Sequence, residues 1–221
     1  MGDNWSQVRY AASQAVRAYY TIAKEDEELK GKYDAMLVPR MCLNRYYVAE
    51  GVKIYSNETW RLVHGDQGRQ IICKYAEEVC HFYIEQSTAD NHAVREAACH
   101  CISELCTKVA AVVDKEPFKP YIAQMLAALL DCFKDESWPV RDCACLACGH
   151  FVATFPEESQ PVFEELCQLW FGHLSDNIQS IREHSAESIA KVMQQAYKEE
   201  LGAKVQEYIQ ENLMKAKEQG N

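Results

Sequence analysis

Glycine and proline are scarce in this sequence. Nine glycines and six prolines occur among 221 residues, and neither type gathers into a linker-like stretch. Because flexible linkers are rich in these residues, their scarcity predicts one continuous unit over residues 1–221 rather than two tethered domains. The apolar fraction of 48% is typical of a packed chain, so disorder is expected only at residues 215–221.

Long apolar runs are also missing. The most apolar stretch, residues 122–130, is far too short to cross a bilayer, and polar residues occupy the place of a secretory signal. The first six residues loosely fit the myristoylation pattern, but Asp3 beside Gly2 disfavours that modification. The sequence therefore predicts no membrane partner.

Basic residues are outnumbered, with 23 bases against 33 acids and a net charge of −10. An acidic chain repels a phosphate backbone unless its bases gather on one face, and no run of bases stands out. Nucleic acid is therefore excluded as a predicted partner. A basic or amphipathic protein segment is the favoured class.

Cysteine, in contrast, is abundant. Eleven cysteines, an odd number, mostly lie within apolar helical patterns, which favours free thiols in the cytoplasm, with the nucleus as the alternative. The densest groups are Cys143, Cys145 and Cys148 with His150, and Cys99-His100-Cys101. Zinc requires four converging ligands, whereas ligands on one helix in this spacing diverge, so no metal is predicted.

An apolar β-branched residue followed by a base recurs five times, at intervals of 41 to 46 residues. The doublets are Val8-Arg9, Val52-Lys53, Val94-Arg95, Val140-Arg141 and Ile181-Arg182. A small residue stands three positions after each base. A fixed period in this range predicts a solenoid of stacked helix pairs.

Each doublet opens an amphipathic helical pattern in which offsets 0, +4, +7, +8 and +11 share one face. In the first segment this buried face would hold Val8, Ala12, Ala15, Val16 and Tyr19. Other helical patterns precede the later doublets, over residues 33–47, 69–86, 120–133 and 161–174. The sequence thus predicts second helices of each pair starting near residues 6, 51, 92, 138 and 179, and a C-terminal helix over about 199–217.

Acidic residues precede four of the doublets. Asp3, Asp135 and Asp176 lie five residues before theirs and Asp90 lies four before its own, where a carboxylate can cap the helix. A helix pair with a period near forty, an aspartate in the turn and a Val-Arg doublet resembles the HEAT repeat family, with armadillo arrays as the near relative. The best matches are residues 90–98, 135–144 and 176–185, and the resemblance covers about residues 3–197. Segment two departs most, with Lys53 in place of arginine and Tyr55 and Ser56 among the small positions.

The resemblance implies an all-α, right-handed α-α superhelix of about four to five antiparallel helix pairs. In that family the turn acids and arginines form a ladder along the spine of the array, with a structural rather than a binding role. By resemblance, Arg95, Arg141 and Arg182 would reach turn acids of their own or adjacent repeats. The residues assigned to this spine are Arg9, Lys53, Asp90, Arg95, Asp135, Arg141, Asp176 and Arg182.

Some proteins of this fold are enzymes, including iron-dependent hydroxylases with His-Glu pairs, and lyases. This chain has seven histidines but no His-Glu dipeptide, and it lacks a phosphate-binding loop, a dinucleotide fingerprint and a nucleophile elbow. We therefore predict no catalytic residue and no cofactor. A metal hydroxylase or lyase stays a disfavoured alternative, because the fold alone would permit it.

The remaining prediction is a binding surface. In HEAT arrays the second helices line the concave side, and offsets +2, +6 and +9 face away from the core. The predicted partner-binding residues are Tyr10, Arg17, Arg61, Glu96, His100, Asp142, Leu146, Glu183 and Glu187. The predicted function is a non-catalytic scaffold or adaptor for a protein or peptide. Since no first helix precedes the first doublet, a fragment of a larger HEAT protein, such as a nuclear transport receptor or phosphatase scaffold, is the alternative.

Overall fold

A computed structural model describes residues 1–218, apart from the side chains of Glu27, Ala216 and Glu218. Within this range every regular element is helical. The α-helices are α1 (Ser6–Ile22), α2 (Glu27–Gly31), α3 (Asp34–Asn44), α4 (Glu50–His64), α5 (Gly68–Lys74), α6 (Ala76–Gln86), α7 (His92–Glu104), α8 (Ile122–Phe133), α9 (Trp138–Thr154), α10 (Pro156–Ser159), α11 (Phe163–His173), α12 (Gln179–Gln195) and α13 (Lys198–Glu218). Helix α13 thus includes residues 215–218, which were expected to be disordered, and residues 219–221 lie outside the described part.

The helices form two layers. One layer contains the second helices of the pairs, α1, α4, α7, α9 and α12, and the other contains α3, α6, α8 and α11. Within the first layer α1 packs on α4, α7 on α9 and α9 on α12. The chain is therefore an all-α solenoid of about five helix pairs, and the predicted fold class is confirmed.

Small residues let the second helices approach closely. Between α9 and α12, a Cβ atom built on Gly149 would lie 2.6 Å from Ser188 Oγ and 3.0 Å from the Ser188 Cα. The Ser188 hydroxyl donates a hydrogen bond of 3.1 Å to the Cys145 carbonyl across the same contact. Large side chains such as Phe151 and Trp170 are fully buried around it. The small-then-large order of the repeat therefore corresponds to a close helix contact surrounded by bulky packing.

The predicted buried face is correct for the later second helices but wrong for α1. Val8 is 48% exposed and Ala15 is exposed, whereas Arg9 is only 1% exposed. Helix α1 packs against α4 and α3, with no described helix on its other side. It is rotated so that Arg9 faces α3, where its Nη1 donates to Asn44 Oδ1 at 2.8 Å.

The helical pattern over residues 69–86 is not one helix, because it breaks at Tyr75 into α5 and α6. The Tyr75 hydroxyl donates to Asp34 Oδ2 of α3 at 3.4 Å, so the break places this ring against the neighbouring pair. Before α8, the 3₁₀ segment Glu116–Tyr121 occupies part of the connection. Helix α7 continues into a π-helical segment, Leu105–Ala110.

The row of second helices packs least closely between α4 and α7, a junction that we call the α4–α7 gap. Direct packing joins the other neighbours in this layer, whereas α3 packs beside α7. The two residues that follow α3 fill the gap. The Tyr46 ring stacks on His100 with centroids 5.4 Å apart, and the Arg45 guanidinium lies 4.6 Å from the Trp60 ring while pairing with Glu104. The array therefore has an N-terminal part around α1 and α4 and a C-terminal part around α7, α9 and α12.

Candidate partner-binding surface

The arginines of the doublets secure the turns that precede their helices. Arg9, Arg95, Arg141 and Arg182 each donate to the carbonyl oxygen six residues earlier, on Asp3, Ala89, Asp135 and Asp176. Lys53 makes no such bond among the described residues and is exposed. Four of the doublet arginines thus bind backbone carbonyl oxygens of the preceding turn and not a ligand. The second segment, with Lys53, lacks this hydrogen bond.

Three turn acids bond to the amides of the N-cap residues of the second helices. Oδ1 of Asp3, Asp135 and Asp176 accepts the amide two residues later, at 2.8 Å in each case. Asp90 makes no such bond among the described residues, and Asn91, the N-cap of α7, accepts instead from the Ala93 amide at 3.0 Å. Three inter-helix turns and the N-terminal segment before α1 are therefore held from both sides by side chains.

The ladder implied by resemblance has one rung in the described structure. Arg95 spans adjacent repeats and donates through Nε and Nη2 to the Asp135 carboxylate at 2.7 and 2.9 Å. Burial would raise the pKa of Asp135, but the Arg95 guanidinium holds this pKa below its usual value. Arg141 and Arg182 instead bond to backbone carbonyls of their own turns, so the side-chain ladder expected for them is not formed.

The predicted partner-binding residues fall into two groups with different charge. Tyr10, Arg17 and Arg61 lie on α1 and α4, and the acidic members lie beyond the α4–α7 gap. The second group consists of Glu96 and His100 on α7, Asp142 and Leu146 on α9, and Glu183 and Glu187 on α12. One uniform groove along the array was therefore not found.

Four residues of the second group line one cleft of about 190 Å³, which we call the acidic cleft. It is lined by Glu96, His100, Ser103, Trp138, Pro139, Asp142, Cys143, Leu146 and His184. Glu183 and Glu187 lie outside this lining and are exposed on α12. Four residues that share the predicted surface offsets lie together in this cleft, because their helices α7 and α9 pack side by side. They are Glu96, His100, Asp142 and Leu146.

The acidic cleft combines carboxylates with an indole. His184 Nδ1 lies 2.9 Å from Asp142 Oδ1, and the Glu96 carboxylate has no ion-pair partner among the described residues. Trp138 is 49% exposed at the start of α9. Burial lowers the pKa of His100, which favours its neutral form at pH 7. This arrangement can hold a cation by charge and by contact with the indole face.

Sequence reasoning missed Trp138 and His184 as parts of the cleft. Trp138 stands two residues before its doublet and His184 three after, outside the offsets that were counted as surface. The signal available for Trp138 was a tryptophan at the predicted start of a second helix, and the structure shows that it is exposed. The position of His184 depends on the contact between α9 and α12, which periodicity alone does not give.

The cysteines are free thiols, all but Cys73 buried. Burial raises the pKa of Cys80 and of Cys145 to about 12, so these thiols stay protonated at neutral pH. Within residues 1–218 no group of three potential ligands is placed to hold a metal ion. In the same range no helix is long and apolar enough to cross a membrane.

Comparison with known proteins supports the fold. The family model of the HEAT repeat matches residues 125–155, which include most of α8 and all of α9. No curated protein matches the sequence. An engineered protein with a crystal structure from a structural genomics programme is similar, with a TM-score of 0.56 and 10% identity over 87% of this chain and 76% of that chain. The chain is thus an all-α solenoid, and its helix pair within residues 125–155 matches the HEAT repeat.

Proposed function

We propose that this protein is a non-catalytic scaffold that binds a basic segment of a partner protein in the acidic cleft. The observation that carries the proposal is the convergence of Glu96, Asp142 and Trp138 on one cleft. Helical repeat proteins of the HEAT type commonly serve as protein-interaction scaffolds. Their rows of second helices provide an extended surface for such segments.

The chemistry of the cleft fits a lysine or arginine side chain. The long apolar stem of such a side chain would contact Trp138 and Leu146, while its cation would lie near the Glu96 carboxylate. Cation–π contact with the indole adds roughly 0.5–2 kcal/mol, depending on desolvation. Glu96 makes no ion pair among the described residues, so binding there would not require breaking an existing one.

Acidic residues continue beyond the cleft along α12. Glu183 and Glu187 are one turn apart on the exposed side of that helix. Further bases of the same segment would meet these carboxylates at the rim, where charge mainly raises the association rate. The net charge of −10 adds long-range attraction for a basic partner.

The test uses a fluorescein-labelled peptide with several arginines and leucines, titrated with the full chain and followed by anisotropy. The double variant Glu96→Lys with Trp138→Ala should weaken binding by about tenfold or more, which corresponds to about 1.4 kcal/mol. Asp131→Lys is the matched control, because Asp131 is exposed on α8 in the other layer. Equal affinity of the double variant and the parent protein would exclude the acidic cleft as the site.

A further inference from the structure

A second cavity lies on the other side of the α4–α7 gap. It has a volume of about 400 Å³ and is formed by α1, α4 and the chain that follows α1. We call it the basic groove, and it is lined by Arg17, Tyr20, Thr21, Lys24, Lys30, Leu62 and Val63. Three of these described lining residues are cationic and none of them is acidic, although the whole chain has a net charge of −10.

Arg17 is held in a fixed orientation at one side of the basic groove. Its Nε donates to Thr59 Oγ1 at 2.8 Å, and its Nη2 donates to the Tyr55 carbonyl at 2.9 Å. The guanidinium also lies 3.5 Å from the Tyr55 ring, and one Glu58 oxygen is 3.3 Å from Nη2. These contacts occupy Nε and Nη2, whereas Nη1 makes no hydrogen bond to the described residues. A prealigned guanidinium of this kind loses little entropy when it binds a carboxylate.

Apolar surface adjoins these cations. Leu62 is 73% exposed and Val63 beside it is half-buried. Most of the Leu62 side chain is therefore accessible to a partner. Apolar surface next to charge of one sign is typical of sites that bind an amphipathic segment.

We propose that the basic groove binds an acidic, leucine-containing segment of a partner protein. Carboxylates of that segment would meet Arg17 and Lys24, and its apolar side chains would cover Leu62 and Val63. Charge complementarity selects this occupant, because Arg17 and Lys24 lie in the described lining of the groove and no carboxylate does. The site is separate from the acidic cleft and of opposite charge, so the array would hold segments of opposite sign at its two parts.

The probe is a labelled amphipathic helical peptide with glutamates on one face and leucines on the other, measured by anisotropy with the full chain. Binding is expected to weaken about tenfold in Lys24→Glu and also in Leu62→Ser. Both positions are exposed, so both variants should keep the fold, which circular dichroism would check. A peptide with glutamine at each glutamate should bind about tenfold more weakly, since the cations then lose their partners.

Three results would overturn this proposal. The first is that Lys24→Glu and Leu62→Ser bind the acidic peptide as tightly as the parent protein does. The second is that the glutamine peptide binds as tightly as the glutamate peptide. The third is that the protein binds no peptide but binds anionic phospholipid vesicles in a way that depends on Lys24. Glu96→Lys separates the two proposed sites, because it should leave the acidic peptide unaffected and weaken only the arginine peptide. The experiments can therefore reject the proposal for one site without rejecting the proposal for the other.

Discussion

Arg45 and Glu104 form an ion pair at the α4–α7 gap, where these two helices make little direct contact. Their side chains are 9% and 11% exposed, and Arg45 also faces the Trp60 ring. Removing one partner of such a pair leaves an uncompensated buried charge. Arg45 Nε already has no hydrogen-bond partner among the described residues, so little else could compensate for the loss.

We expect Glu104→Ala to lower the free energy of unfolding by about 3–5 kcal/mol, measured by urea denaturation. The control is Glu165→Ala, which removes the acid of the exposed Lys134–Glu165 pair and should cost less than about 1 kcal/mol. Replacing both charges, Arg45→Met with Glu104→Leu, should recover most of the loss. Equal losses in the two single variants would contradict a buried role for Glu104.

His64 makes the stability of the fold depend on pH. Its ring lies between Tyr20 and Trp60, at 5.8 and 4.5 Å, and burial lowers the pKa of His64 to about 4. In the unfolded chain a histidine titrates near pH 6.5, so the unfolded state gains its proton first as the pH falls. Stability is therefore fully present above about pH 6.5 and decreases toward pH 4.

The expected loss from His64 is about 1–2 kcal/mol between pH 7 and pH 5, measured from urea unfolding at both values. His64→Phe should reduce the difference between the two pH values, whereas replacement of the exposed His92 by glutamine should not. Part of the sensitivity will persist, because burial also lowers the pKa of His150 to about 4. If the difference in stability between pH 7 and pH 5 is unchanged in His64→Phe, His64 must gain its proton over the same pH range in the folded and the unfolded state, and the proposed role of its burial is wrong.

At the scale of helices, the contact of α9 with α12 depends on one glycine. An added Cβ at Gly149 would meet both the hydroxyl and the backbone of Ser188, and backbone cannot move aside cheaply. Gly149→Ala should therefore destabilise the protein by about 1–3 kcal/mol. Gly202→Ala in α13 is the matched control, because no atom of the described residues lies within 4 Å of its Cβ position. This change should stabilise the protein by up to about 1 kcal/mol. The midpoint temperature of thermal unfolding is measured for both variants. A shift in the same direction for Gly149→Ala and Gly202→Ala would contradict the close contact of α9 with α12.

Helix positions could be predicted because they depend on local periodicity. Second helices expected near residues 92, 138 and 179 are observed to begin at His92, Trp138 and Gln179. The rotation of α1 could not be predicted, since it depends on Asn44 of α3 and on the absence of a described helix on its other side. The α4–α7 gap likewise depends on Tyr46 and His100, which lie in different repeats.

The candidate sites were predictable to different degrees for the same reason. Glu96, His100, Asp142 and Leu146 share offsets within two adjacent helices, so periodicity placed them together. The basic groove draws Arg17, Lys24 and Lys30 from α1, from the 3₁₀ segment Ala23–Glu25 that follows it and from α2. No sequence run of bases marks it, and only the turn between these elements brings the charges together.

Across the whole molecule, the array consists of two parts joined through α3. In solenoids each repeat contacts only its neighbours, so cooperativity is limited by the weakest junction. Here the junction of second helices is bridged by Arg45, Tyr46 and the packing of α3 on α6 and α7, with little direct packing of α4 on α7. The two proposed binding sites lie on opposite sides of this junction.

We expect the two parts to open separately, with the N-terminal part opening first. Under native conditions with moderate urea, amides of α1 and α4 should exchange with deuterium at lower denaturant than amides of α7, α9 and α12, measured by mass spectrometry. The physical reason is that α7, α9 and α12 bury continuous faces against each other, whereas α1 and α4 leave Val8, Ile54 and Leu62 exposed. Gly149→Ala should then lower protection in α9 and α12 while α1 and α4 stay as in the parent protein. A single opening free energy shared by all five second helices would mean that α3, Arg45 and Tyr46 couple the two parts as strongly as direct helix packing does.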